Sequence, residues 1–155
     1  MAETQQTLFE KCCACLDDGG VKYSVDRIED SDIINFTASG DDLQMNCTIR
    51  FIGGVVSLYS LIPARFSGEK LVDGIMAVNE INRKLVFGSL DFDRKEGIVI
   101  YRVTNCFNDC TVETGGIFME LIRILLRSVD DYNDKLFMLS KGILNFSEFM
   151  EEINK

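Results

Sequence analysis

The chain has 155 residues, six cysteines, no histidine, and 25 acidic against 16 basic residues, a net charge of −9. The length suits one domain, 1–155, that buries its own core without staples. The charge excludes a surface built to neutralise phosphate backbones or anionic headgroups, so neither nucleic acid nor membrane is an expected partner.

The first predicted element is a helix from about Thr4 to Asp18, stopped by Gly19-Gly20. Leu8, Phe9, Cys12, Cys13 and Leu16 recur on one side of it. Cys12 and Cys15 have the spacing of half a zinc site, and Cys106 with Cys110 offers a second half. Without histidine, zinc would need four thiolates. A redox pair would sit at a helix N-terminus after a strand, whereas Cys12 and Cys15 lie in mid-helix. Packing is the expected role, because free cysteine behaves as a small buried hydrophobe. Cys110, just before a predicted helix, is the thiol that a helix dipole would favour, with Asp109 opposing. A zinc or redox protein using Cys12, Cys15, Cys106 and Cys110 is the alternative reading.

Two strands follow, "VKYSV" and "DIINFTAS", the second with Ile34, Phe36 and Ala38 on one face. In "MNCTIRFIGGVVSLYSLI" the Gly53-Gly54 pair reads as a two-residue hairpin turn. That register sets Phe51 against Val56, Ile49 against Leu58, Cys47 against Ser60 and Met45 against Ile62. One face is then apolar but for Ser60. The other carries Asn46, Thr48, Arg50 and Ile52 against Val55, Ser57, Tyr59 and Leu61, and a one-residue slip would exchange the two faces.

A second helix is expected from about Gly68 to Lys84, capped by Ser67, with Leu71, Ile75, Val78, Asn79 and Asn82 inward. Buried amides need partners, and Asn79 and Asn82 are read as structural groups capping backbone of the following strand. "FGSLDFDRKEGIVIYRV" is a second hairpin whose register the sequence leaves open. Its tip, Asp91 to Gly97, lacks the ligand pattern of a calcium loop and reads as a solvated turn. A long helix from about Val112 to Ser140 carries Phe118, Ile122, Leu125, Val129, Tyr132, Leu136 and Leu139 at alternating spacings of four and three. Asn145 and Glu148 then open a short last helix with a capping box. Tight turns between adjacent strands predict an antiparallel sheet, and the whole an α+β fold of order α-β(hairpins)-α-β-β-α.

No P-loop, GxSxG or GxGxxG is present, so no catalytic, cofactor or metal residue is assigned. "VNEINRKLVFGSLDFDRKEGIVIYRV" resembles the YbjN family, described as bacterial sensory transduction regulators and similar in fold to type III secretion chaperones. The Asn-x-x-Asn on a helix, the "FGSLDFD" strand, the acidic turn ending in glycine and "IVIYR" carry the likeness. It implies a non-enzymatic, cytoplasmic, homodimeric module that binds a protein partner, without catalytic residues to transfer. The cysteine-rich first helix and the helix from about 145 depart from the pattern. The candidate contact residues are Ile52, Val55, Tyr59 and Leu61 on the second sheet face, and Tyr132, Leu136 and Leu139 on the long helix, which either the last helix, through Phe146, Phe149 and Met150, or a second copy would cover.

Overall fold

The computed structural model describes residues 6–155. Helix α1 (Leu8–Asp18) begins where Thr7 accepts the Glu10 N–H at 3.1 Å and the Glu10 carboxylate accepts the Thr7 N–H at 3.2 Å. This reciprocal cap satisfies two otherwise orphaned donors. The expected start at Thr4 lies outside the described residues. Gly20, at φ 70, ends the helix.

Six strands follow in the spatial order β1-β2-β3-β4-β6-β5, all antiparallel. They are β1 (Tyr23–Ile28), β2 (Ser31–Ser39), β3 (Gln44–Ile52), β4 (Val55–Arg65), β5 (Ser89–Asp93) and β6 (Ile98–Cys106). With α2 (Lys70–Asn82), α3 (Gly116–Ser140) and α4 (Phe146–Ile153), the fold is α+β. The β3–β4 hairpin has the register that Gly53-Gly54 demands, with Phe51 opposite Val56, Ile49 opposite Leu58 and Cys47 opposite Ser60. Pro63 lies in β4 within the register irregularity between Leu61 and Arg65, where a residue without an N–H interrupts the ladder least.

One face of the sheet holds Ile34, Phe36, Ile49, Phe51, Leu58, Val99 and Tyr101, all buried. Over it, α3 packs on β3, β4 and β6, and α2 packs on β5. At one corner the rings of Phe9 and Phe118 stand 5.6 and 6.0 Å from Phe51, edge to face, tying α1, β3 and α3 together. Each buried side chain of the α3 stripe contributes about 1.5–3 kcal/mol. That outweighs a start at Gly115 with no side-chain cap. The expected first turn from Val112 is not helical, so Cys110 stands well before the helix and loses the dipole argument.

Two expectations about helix faces fail. The buried residues of α2 are Gly74, Ala77, Val78 and Ile81, while Ile75 and Asn79 are exposed. Gly74 sets this phase: a Cβ there would stand 2.6 Å from the Phe66 ring and 2.8 Å from that of Phe92. Only a residue without a side chain lets the helix lie so close. Nor does Ser67 cap α2, which starts after Glu69 without a side-chain cap. On α3, Leu136 and Leu139 are fully buried within the chain and Tyr132 half-buried. Helix α4 packs on α3 and α2, with Phe149 and Ile153 inward. Leu136 and Leu139 are therefore core residues, unavailable to a second copy.

Candidate functional site

The opposite face of the sheet is where alternation places the remaining strand side chains, away from the helices. Along it run Thr48, Arg50 and Ile52 of β3, Val55, Ser57, Tyr59 and Leu61 of β4, and Ile100, Arg102 and Thr104 of β6. Register sets them in rows across the strands: Ile52 beside Val55, Thr48 beside Tyr59 and Arg102, Leu61 beside Ile100. Ile52 and Leu61 are 48% and 53% exposed, and Val55 and Tyr59 are half-buried. The sequence-predicted residues Ile52, Val55, Tyr59 and Leu61 are thus brought onto one accessible surface, whereas Tyr132, Leu136 and Leu139 lie on the other side of the molecule.

The polar side chains of this face are tied to one another. Thr48 donates to the Asn35 side chain at 2.9 Å, Arg50 Nε donates to Ser31 Oγ at 3.1 Å, and Ser57 and Thr104 share a hydrogen bond of 3.0 Å. Arg102 pairs with Asp91 of β5 at 3.2 Å. Such mutual pairing lowers the cost of removing water from the surface, because few polar groups would be stranded. Ile52, Val55, Leu61 and Ile100 thus stand among polar groups that are already paired.

The thiols do not converge. Cys12 is buried in the core and burial pushes its thiol up to about 12, with Cys13 and Cys15 adding to the effect. Burial likewise raises Cys47 to about 11, opposed by the Ser60 hydroxyl across the strands. Cys106 and Cys110 line an open concavity of about 570 Å³ with Phe107, Glu113 and Ile117, while Cys15 lines a different one. Among the described residues no three Cys, Asp or Glu side chains are grouped to hold a metal ion. No helix among them is long and apolar enough to cross a membrane.

Of the two amides singled out in the sequence, Asn82 is the one at work. Its Nδ2 donates to the Leu90 carbonyl at 3.0 Å and its Oδ1 accepts the Leu90 N–H at 2.7 Å. The side-chain amide mimics a further strand and closes the outer edge of β5. Asn79 is exposed, and the expectation that it is buried is wrong. The buried amide that sequence reasoning missed is Asn133 of α3, fully enclosed, with an Nδ2 that has no protein partner among the described residues. Its position, four after Val129 and three before Leu136, was the available signal.

Comparison with protein families and with curated proteins finds no match. The resemblance to the YbjN family therefore rests on the motifs quoted above. Of these, "FGSLDFD" forms the β5 strand and its approach, and "IVIYR" opens β6.

Proposed function

We propose that this chain is a non-enzymatic protein-binding module of the regulatory or chaperone-like kind, docking through the outer face of its sheet. The reading also places it in the cytoplasm, where free thiols stay reduced. The observation that carries it is the strip of exposed Ile52 and Leu61 with half-buried Val55, Tyr59 and Ile100, which no helix among the described residues covers. The YbjN-like motifs support the same reading, and with it a type III secretion chaperone-like fold and a homodimer. Since Leu136 and Leu139 are enclosed, a second copy would meet the chain on this sheet face instead. The cysteine-dependent alternative draws no support from the placement of Cys12, Cys15, Cys106 and Cys110, which face three separate surroundings.

Sedimentation equilibrium tests the proposal with wild-type chain and a Tyr59→Asp, Leu61→Asp double variant. Both positions lie outside the core, so the variant keeps its fold, checked by its urea midpoint. The expected result is a mass of two chains for wild type and of one for the variant. A wild-type mass of one chain up to the millimolar range removes the homodimer. A variant that remains dimeric removes this face from the contact.

A further inference from the structure

The β5–β6 pairing leaves part of β6 without a neighbour. Strand β5 covers β6 only from Asp93 opposite Ile98 to Ser89 opposite Arg102. Beyond this, Gly88 sits at φ 72 and the chain leaves the sheet plane. A Cβ at Gly88 would also meet the Arg102 carbonyl oxygen at 2.7 Å, so the departure is fixed by close packing. The stretch Val103–Cys106 keeps β4 on one side, from Leu58 to Val55, and has no strand on the other.

Alternation in an antiparallel ladder settles which groups face that open side. Both backbone groups of Leu90 turn outward to Asn82, so the Leu90–Tyr101 pair is the one that exchanges no backbone bonds. Ser89 and Arg102 then exchange both. Two residues further along β6, the N–H and C=O of Thr104 point to the same side as those of Arg102, where β5 has ended. The next group on that side, the Cys106 N–H, is already taken by the Asn105 side chain at 3.0 Å. Phe107 turns back to donate to the Gly54 carbonyl at 2.7 Å. The edge is thus bounded at one end and open at Thr104, which is exposed.

A concavity lies at each end of this short edge. One, of about 450 Å³, is lined by Val86, Phe87 and Arg102; the other is the 570 Å³ groove with Phe107, Glu113 and Ile117. Val86 and Phe87 are 86% and 58% exposed. Apolar side chains of an added strand have a place at the first, and the carboxylate of Glu113 favours a basic one at the second. The net charge of −9 acts in the same direction.

We propose that the open edge of β6 at Thr104 accepts an extended, alternately apolar and basic segment of a partner protein, which prolongs the line of β5 by strand addition. Main-chain bonds to Thr104 would hold the segment, and the two concavities would select its side chains. The strand edge adjoins the outer sheet face, which shares Arg102 and Thr104 with it, but its main-chain bonds are tested independently of that face.

The test uses the full chain and an acetylated, amidated Val-Lys-Val-Lys-Val peptide, with an analogue N-methylated at its central valine. Hydrogen exchange is followed at the Thr104 amide, with binding measured by fluorescence anisotropy. The expected results are rapid Thr104 exchange in the free chain, at least tenfold slowing by the peptide, and at least tenfold weaker binding of the methylated analogue. Thr104→Pro, which removes an N–H that β4 does not use, should weaken binding similarly, while Val25→Asp, exposed on the far edge strand β1, should not. Should that proline variant not fold, the methylated peptide on wild-type chain still decides. Absence of binding, equal binding of the two peptides, or a Thr104 amide already slow in the dilute free chain overturns the proposal. Slowing that grows with chain concentration alone would assign the edge to a second copy, which also overturns it.

Discussion

The contrast between Asn82 and Asn79 shows what an amide contributes only through its partners. Asn82→Ala strands the N–H and C=O of Leu90, which is buried, and should cost about 1–3 kcal/mol. Asn79→Ala removes an exposed amide from a helix and should change stability by less than about 0.5 kcal/mol. Urea midpoints of the two variants measure this, and equal midpoints would refute it. The thiols obey the same logic in their titration. Cys12 and Cys47 rise from an ordinary 9.0 to about 12 and about 11 because burial disfavours thiolate. A pKa raised by folding contributes stability that is full below the unfolded value and lost as pH climbs through the folded one. The stability advantage of wild type over Cys12→Ala should therefore shrink between pH 9 and about 12, by up to ~1.4 kcal/mol per pH unit. In the folded chain at pH 8, Cys106 and Cys110 should react with a thiol reagent, and Cys12 and Cys47 only after unfolding. A constant difference across that pH range would contradict the burial argument.

At the scale of elements, the sequence was most legible where one local rule dominates. Gly53-Gly54 fixes a turn, the turn fixes the register, and register decides both faces of β3 and β4. The caps of α1 and α4 were equally local, although only Asn145 with Glu148 had been expected. The phase of α2 was misread because hydropathy rewards Ile75 and gives no weight to Gly74. Its true inner face is chosen by how closely the helix approaches Phe66 and Phe92, a tertiary distance absent from any one-dimensional pattern. The α3 stripe was found but for Leu121 and Asn133, and the choice between the last helix and a second copy as cover for its end stayed open, since the position of α4 depends on two helices at once. The consequence is testable. Leu136→Asp places a carboxylate at a position with no exposure, and should unfold the chain or lower its stability by more than about 3 kcal/mol. A folded Leu136→Asp variant of normal midpoint, observed by circular dichroism in urea, would put Leu136 on the surface after all.

At the scale of the whole molecule, all the helices that pack on the sheet lie on one side of it, and the candidate surface is what this leaves uncovered. Sequence reasoning identified Ile52, Val55, Tyr59 and Leu61 as co-facial, but could not tell whether a helix would cover them. That depends on handedness and layer order, which only the assembled chain expresses. The open end of β6 was illegible for a related reason. It arises from a mismatch between the five residues of β5 and the nine of β6, and the register of that hairpin was not fixed by its turn.

The strand order has a kinetic meaning as well. Strands β1 to β4 are each paired with the next in sequence, as are β5 and β6, and among the described residues the only strand pairing between these two blocks is β4 against β6. Joining Leu58 to Val103 requires the intervening chain, α2 included, to close into a loop before any contact rewards it. Assembly should therefore proceed as two locally nucleated pieces whose late docking along the β4–β6 line limits the rate. Val103→Ala should slow refolding more than it speeds unfolding, whereas Val25→Ala, on the far edge strand, should leave the refolding rate nearly unchanged. Stopped-flow refolding from urea reads both rates, and a Val103→Ala chain that loses stability only through faster unfolding would move the barrier elsewhere. Until that line closes, the unpaired margins of both pieces are exposed together, which makes the interval before docking the moment of greatest risk of intermolecular pairing.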